Sequence, residues 1–142
     1  MKLPRWARLL WPAPWTALGL VLGAAMLATG GSVRRVQGAL EFSGGALVRA
    51  PWPMDAVTLG HVILGRHAAL LDALRAHEQV HVRQYERWGP LFVPAYLADS
   101  AWQWLRGRRA YRDNQFEREA RLEQPRRAEL KAQAAPTRSS VW

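Results

Sequence analysis

The stretch Arg75–Pro90 reads RAHEQVHVRQYERWGP and holds two of the four histidines of the chain within five residues. His77 and His81 stand four positions apart, and Glu78 directly follows the first of them. On a helix, side chains four positions apart project from the same face, so both imidazole rings can reach one ion. The stretch is therefore either a metal site with its own general base or an amphipathic helix that carries two histidines.

The sequence around this stretch has a helical pattern. From about His67 to Trp88, apolar and histidine positions recur at spacings of three and four, and the two histidines continue the stripe that Leu70 and Leu74 begin. Gly89-Pro90 ends the pattern. Because such a stripe faces the protein interior, we expect the histidines to point inwards.

The chemistry of this motif suits zinc. The chain has no cysteine, so a transition metal must be bound by histidine and carboxylate side chains. Zinc accepts neutral imidazole nitrogens and, in catalytic sites, keeps one position open for water. Glu78 lies about 100° further round the helix, where its carboxylate can take a proton from that water as it attacks a carbonyl.

A third ligand is needed, and the segment NQFEREA at 114–120 offers the carboxylates Glu117 and Glu119. At these positions the chain resembles the gluzincin group of zinc metallopeptidases. Gluzincins have HExxH on one helix and a glutamate on a following helix, commonly in the setting Glu-x-x-Ala/Ser-Asp. The segment 117–120 matches Glu-x-x-Ala, which selects Glu117 as the third ligand.

The resemblance implies one zinc ion bound by His77, His81 and Glu117, with Glu78 as the general base of peptide hydrolysis. It also implies that the strand AVTLGHVILG could hold an extended peptide or protein substrate by backbone pairing. One position departs from the pattern, because Arg121 stands where the family has an aspartate that orients a histidine. Candidates for this orienting role or for oxyanion stabilisation are Asp99, Asp113, Asn114, Tyr96, Tyr111 and His61.

The first 32 residues predict a membrane anchor. Lys2, Arg5 and Arg8 precede an uncharged run from Leu9 to Ser32, which is long enough to cross about 30 Å of hydrocarbon as a helix. A cleaved signal peptide is the alternative. The basic residues before the run predict that the domain lies on the extracytoplasmic side of the membrane.

Residues 36–64 have strand-like patterns. Two apolar runs joined by Ser43-Gly44-Gly45 predict a hairpin, and the β-branched segment AVTLGHVILG predicts a further strand with His61 in its middle. At this position a structural role is favoured for His61.

Two further helices are expected after the HExxH helix. The segment LFVPAYLADSAWQWL predicts a buried core helix, with a helix at the membrane surface as the alternative. The next helix begins with Asp113 or Asn114 as its cap and is broken by Pro125.

Together these patterns predict an α+β protein with an N-terminal transmembrane helix, a short antiparallel β element and a minimal zincin-like bundle of about three helices. The expected division is an anchor at 1–32, a metal-binding domain at 33–131 and a disordered tail at 132–142. The net charge of +9 favours anionic partners such as a lipid bilayer, and no nucleic-acid partner is expected. The alternatives to a peptidase are a non-catalytic protein whose basic surface binds anionic lipid or a partner, and a metal-binding pseudo-peptidase.

Overall fold

The structure is a computed structural model and describes residues 3–49 and 54–123. The helices are α1 (Arg5–Leu10), α2 (Ala13–Ala28), α3 (Ala68–Trp88) and α4 (Phe92–Leu105). A fifth helical segment, α5, occupies 115–123 at the end of the described part. The strands are β1 (Ser32–Val36), β2 (Ala39–Ser43), β3 (Ala56–Leu59) and β4 (Val62–Gly65), and short 3-10 turns occupy Ala46–Val48 and Gly89–Leu91.

The four strands form one mixed sheet in the order β1-β2-β4-β3. Two hairpins, β1-β2 and β3-β4, are joined by a parallel pairing of β2 with β4. The prediction of a purely antiparallel β element is therefore wrong, because the central pairing of β2 with β4 is parallel. The chain can pair β2 with β4 in parallel because residues 44–61 separate the two strands, which leaves room for a crossover connection.

The first hairpin turns earlier than the sequence predicts. Its two turn residues are Gln37 and Gly38, with φ of 51° and 82°, the left-handed geometry that two-residue hairpins prefer. The hairpin predicted at Ser43-Gly44-Gly45 is wrong, because the chain leaves β2 there and enters the 3-10 turn Ala46–Val48. The strong Gly-Gly signal marks the exit from the sheet instead.

The segment AVTLGHVILG forms two strands and not one. Gly60 turns the chain with a φ of 62°, and a Cβ at this position would lie 2.1 Å from Thr16 Oγ1 on α2. His61 is consequently in the turn, where its backbone N–H donates to Thr16 Oγ1 at 3.1 Å. The predicted mid-strand position of His61 is wrong, and β3 becomes an edge strand of the sheet.

The sheet lies between α2 and α3. Alternate residues of a strand point to opposite faces, so Ile63 faces away from its neighbours Val62 and Leu64. One buried apolar cluster on the α2 side consists of Met26, Phe42, Val48, Val62 and Leu64. The other, on the α3 side, consists of Ala39, Ile63, Leu71 and Val82.

The predicted transmembrane helix is wrong. Among residues 3–49 and 54–123, no helix combines the length and the apolar character that crossing a bilayer requires. The apolar run instead forms α2, whose 16 residues extend about 24 Å. Its Gly19 and Gly23 lie against the sheet so closely that added Cβ atoms would be 2.7 Å from Val62 and from the Phe42 ring. The side of a membrane on which the domain lies stays a prediction, as does the division at residue 32.

A buried carboxylate connects the first hairpin to α3. Glu41 is 1% exposed and accepts hydrogen bonds from Arg34, its cross-strand partner, and from Arg75 on α3. Both guanidinium groups also donate to Asp72. Since a buried charge is stable only when it is paired, this network fixes α3 on the sheet in one register.

The helix α4 is mostly at the surface. Only Phe92 and Gln103 are buried in it, while Leu97, Trp102 and Trp104 are more than half exposed. The preferred prediction of a buried core helix is therefore wrong. The predicted break at Pro125 and the predicted tail at 132–142 lie outside the described residues.

Candidate metal centre

The helix α3 has the predicted extent and carries the HExxH residues in its second half. The ring of His67 caps its start, with Nδ1 accepting from the Leu70 N–H at 3.2 Å, and Gly89 ends it with a φ of 58°. His77 and His81 are 8% and 7% exposed, as the stripe predicts for inward-facing side chains. The predicted helix is confirmed.

The third candidate ligand is positioned by the start of α5. Asn114 is fully buried and caps the helix, with its side-chain oxygen accepting from the Phe116 N–H at 2.9 Å. The Asn114 amide donates to the Tyr96 carbonyl and to Ser100 Oγ on α4. This cap places Glu117 one turn into α5, facing α3, and it confirms the helix start expected at Asp113 or Asn114.

His77, His81 and Glu117 meet in one buried cluster whose ligand atoms all lie within 4.8 Å of one another. The two Nε2 atoms are 3.2 Å apart, and the Glu117 oxygens lie 3.0 Å from His77 Nε2 and 3.3 Å from His81 Nε2. Tetrahedral zinc with bonds of about 2.0 Å separates its ligand atoms by about 3.3 Å. The distance between the two imidazoles, and the distance from each imidazole to its nearest Glu117 oxygen, are close to this value, with His77 and His81 contacting different oxygens of the carboxylate.

The ring of His81 is oriented by Gln84, which follows it by three residues on α3. His81 Nδ1 lies 2.8 Å from the side-chain oxygen of Gln84, which can only accept, so Nδ1 carries the proton. In the neutral ring this leaves the Nε2 lone pair directed at the cluster. Gln84 therefore supplies the hydrogen-bond acceptor that orients this imidazole.

Gln84 is itself held from α5. Its amide group donates to the Phe116 carbonyl at 3.1 Å and to the Glu119 carboxylate at 2.8 Å, and the residue is 1% exposed. Glu119, the carboxylate not selected as a ligand, thus supports the centre through Gln84. The spacing of His81 and Gln84 on one helix face was the signal in the sequence, but the contact with α5 was not.

Two tyrosines lie near Glu117. The Tyr96 hydroxyl donates to Glu117 Oε1 at 2.8 Å, and the charge of this carboxylate also acts on the Tyr111 hydroxyl. Burial and the Glu117 charge raise the pKa of Tyr96 far above its usual range and that of Tyr111 to about 12. Both phenols therefore stay protonated at neutral pH and remain hydrogen-bond donors.

The carboxylate of Glu117 is ionised in this setting. Burial alone would favour its neutral form, but hydrogen bonds from His77 and His81 hold its pKa well below the usual range. Burial likewise disfavours the charged form of His81, but the bond and charge of Glu117 raise the pKa of this imidazole. The cluster thus combines an anionic oxygen ligand with a histidine whose proton a cation can replace.

Glu78 is 6% exposed and is held beside the triad by the edge strand β3. Thr58 Oγ1 donates to Glu78 Oε2 at 2.6 Å, and Thr58 is itself buried. A short bond to a charged acceptor is among the stronger hydrogen bonds in proteins. Thr58 was not foreseen, since only the pairing of β3 with α3 brings the two residues together.

An aromatic cluster supports the floor of the site. Phe92 packs edge-on against Tyr85 and Phe116, with ring centroids 4.4 Å and 5.2 Å apart, and lies 6.3 Å from the His81 ring. Trp15 of α2 packs on this cluster, and its indole N–H donates to the Pro90 carbonyl. The cluster joins α2, α3, α4 and α5 beneath the triad.

Two of the nominated residues are used elsewhere. His61 Nε2 lies 3.0 Å from the Glu86 carboxylate, which gives it the structural role that its sequence position favoured. Asp113 accepts from the Arg109 N–H and stabilises the loop before α5. Of the nominated second set, Asn114 positions the Glu117 helix, Tyr96 donates to Glu117 directly, and Tyr111 lies within range of the Glu117 charge.

Comparisons with known proteins identify no family for this chain. No protein-family model, no curated protein and no solved structure matches the chain.

Proposed function

We propose that the protein is a zinc-dependent peptidase of gluzincin type. The observation that carries the proposal is the convergence of His77, His81 and Glu117 on one point, with the carboxylate of Glu78 held beside them. HExxH and Glu-x-x-Ala lie 36 residues apart in the chain, so their meeting is a property of the fold that the motifs alone do not guarantee.

The three side chains fit a zinc ion by their donor set. They offer two imidazole nitrogens and one anionic carboxylate, with ligand atoms that lie within 4.8 Å of one another, and Gln84 fixes the tautomer that makes His81 a ligand. When bound, zinc supplies Lewis-acid chemistry, which polarises a carbonyl and makes a water molecule acidic near neutral pH. The protein residues supply the ligands, the base and the donors.

Glu78 is the proton acceptor in this proposal. Its carboxylate takes a proton from the attacking water and returns it to the leaving amine, as a general base and then a general acid. Thr58 fixes one carboxylate oxygen by a 2.6 Å hydrogen bond, so the other oxygen is held in a defined direction. Tyr111 is 61% exposed and keeps its proton, which suits it to donate to the oxyanion of the substrate carbonyl.

An extended peptide is the substrate that the setting favours. The strand β3 is at the edge of the sheet and carries Thr58, so the backbone next to the base belongs to an edge strand. An edge strand offers N–H and C=O groups that pair with an added peptide strand. A peptide lying along β3 would pass the carboxylate of Glu78.

The test is a Glu78→Gln variant of the full chain. We expect hydrolysis of a mixture of fluorogenic peptides to fall at least a hundredfold, because general-base catalysis contributes about that factor or more. Zinc content should stay at the wild-type level, since Glu78 is not a ligand. A zinc-loaded wild type that hydrolyses no peptide in the mixture would contradict the peptidase and leave a metal-binding pseudo-peptidase.

A second candidate is a non-catalytic protein that binds anionic lipid. It is favoured by Trp6, Trp102 and Trp104, each more than half exposed, and by the Arg106 guanidinium, which lies 5.7 Å from the centroid of the Trp102 ring. Tryptophan and arginine together suit the headgroup level of a membrane surface.

Vesicle sedimentation tests this second candidate. If the protein binds anionic lipid, the full chain should co-sediment with phosphatidylcholine vesicles that contain phosphatidylserine. A smaller fraction should co-sediment with vesicles of phosphatidylcholine alone. A double variant Trp102→Ser, Trp104→Ser should bind several-fold more weakly. Equal recovery in the supernatant with both kinds of vesicle would rule out the lipid-binding function.

A further inference from the structure

A cavity lined by three arginines opens between α5 and the loop before it. Its volume is about 410 Å³, and its lining residues are Arg112, Asp113, Arg118, Arg121 and Leu122. The peptidase proposal uses none of these side chains. The formal charge of the lining is positive, because three guanidinium groups face one carboxylate, and Asp113 already accepts from the Arg109 N–H.

The cavity and the candidate metal centre share one helix and one tyrosine. Arg121 lies four residues after Glu117 on α5, so both side chains are on the same side of the helix. The charges of Glu117 and Arg121 both act on the Tyr111 hydroxyl. The positive cavity and the ligand cluster therefore share α5 and the loop before it.

Arg121 is held in position from within the cavity wall. Its guanidinium donates to the backbone carbonyl of Arg112. A guanidinium has five N–H donors in a fixed plane, and one bond to a carbonyl orients that plane without using the whole group. An arginine with free N–H donors recognises a carboxylate through two parallel hydrogen bonds.

We propose that this cavity binds a carboxylate of the peptide substrate, either the terminal carboxylate or the side chain of an Asp or Glu residue. The inference rests on the proposed function, because the carboxylate belongs to the peptide that this function hydrolyses, and the cavity lies on the helix that carries Glu117. Arg121, which replaces the aspartate of the gluzincin pattern, then serves substrate selection.

The test measures peptide binding to the full chain carrying Glu78→Gln, which prevents turnover. Three dansyl-labelled probes are compared by fluorescence anisotropy: tetra-alanine with a free terminal carboxylate, the same peptide as its amide, and Ala-Ala-Glu-Ala amide. We expect at least one carboxylate probe to bind about tenfold more tightly than the neutral amide, since charge-assisted bonds add this much. The two carboxylate probes distinguish a terminal from a side-chain group.

Single variants assign the preference to the cavity. Arg121→Gln and, independently, Arg118→Gln should reduce the preference severalfold, while Arg35→Gln, an exposed arginine on β1, should leave it unchanged. Equal affinity for all three probes would overturn the proposal. So would an equal loss in the Arg35→Gln control, because that result would indicate a general charge effect.

Metal removal separates this inference from the proposed function. We expect the carboxylate preference to persist after dialysis against EDTA, and the zinc content measured before this dialysis shows independently whether the metal centre exists. A preference that disappears with the metal and is insensitive to Arg121→Gln and Arg118→Gln would mean that the carboxylate binds zinc, which contradicts the cavity.

Discussion

The helices α2 and α3 pack on opposite faces of the same sheet, yet their sequences differ in kind. α3 has charged and apolar residues at helical spacing, so its buried face can be identified residue by residue. α2 is uncharged throughout, and its sequence favours no face. An uncharged apolar run therefore indicates a helix that avoids water, but it does not indicate whether that helix packs against lipid or against protein.

Small residues determine which side of α2 packs on the sheet. Gly19 and Gly23 stand four positions apart and let the helix approach Val62 and Phe42 to contact distance. Met26 continues the same side and is fully buried. This stripe of two glycines and one methionine gives α2 a protein-facing side, although a hydropathy profile does not detect it.

The largest expected effect is on α2. Met26→Ala should lower the free energy of unfolding by about 2–5 kcal/mol, because it removes buried methylene groups and leaves a cavity. The matched control Val21→Ala, on the same helix but 67% exposed, should change it by less than about 0.5 kcal/mol. Urea denaturation of both full-length variants measures the difference. If they lose equal stability, α2 does not pack on the sheet as described.

The next effect is on α3. Gln84→Ala should weaken zinc binding about 10- to 100-fold, since the acceptor that orients His81 is lost. Competition with a zinc chelator measures the affinity. Gln103→Ala, which removes another buried glutamine from α4, is the control and should bind zinc like the wild type. An unchanged affinity in Gln84→Ala would remove Gln84 from the account of the site.

A smaller effect is expected where α3 meets β3. Thr58→Val keeps the shape of the side chain but removes the hydrogen bond to Glu78, so kcat should fall about tenfold with little change in KM. Thr58→Ser keeps the hydroxyl and should recover most of the rate. Steady-state kinetics on one peptide substrate gives both constants. A serine variant as slow as the valine variant would show that packing, and not the hydrogen bond, matters.

The smallest effect concerns the charged end of α3. Hydrogen bonds from Arg75 and Arg34 hold the pKa of Asp72 below its usual value. The ionised carboxylate therefore stabilises the fold above the ordinary aspartate pKa, and this contribution is lost as the pH falls through the lowered value. The free energy of unfolding, measured by urea denaturation, should be slightly lower for Asp72→Asn than for wild type at pH 7. The two free energies should become equal near pH 2. A constant difference at both pH values would contradict the pairing.

The sequence predicted what local pattern controls. The extent of α3, the inward direction of His77 and His81 and a cap at Asp113 or Asn114 follow from helical spacing and capping chemistry, which act within a few residues. The nomination of Glu117 also agrees with the cluster in the structure. It depended on a resemblance, because spacing along the chain does not determine which carboxylate of α5 faces α3.

The sequence did not predict what depends on contacts between distant segments. Gln84 orients His81 only because α5 supplies Phe116 and Glu119 to hold it, and Thr58 reaches Glu78 only because β3 packs on α3. The turn at Gln37-Gly38 was missed for a different reason. A non-glycine residue with positive φ is uncommon, so the Gly-Gly pair further on was the stronger signal.

The central claim is that His77, His81 and Glu117 form a zinc site, and zinc content tests it most directly. The full chain is incubated with zinc, dialysed and analysed by mass spectrometry of the metal, beside His81→Ala and the control His61→Ala, whose histidine pairs with Glu86. We predict about one zinc per chain in wild type and His61→Ala and almost none in His81→Ala. A metal-free wild type, or a His81→Ala variant that keeps its zinc, would contradict the account.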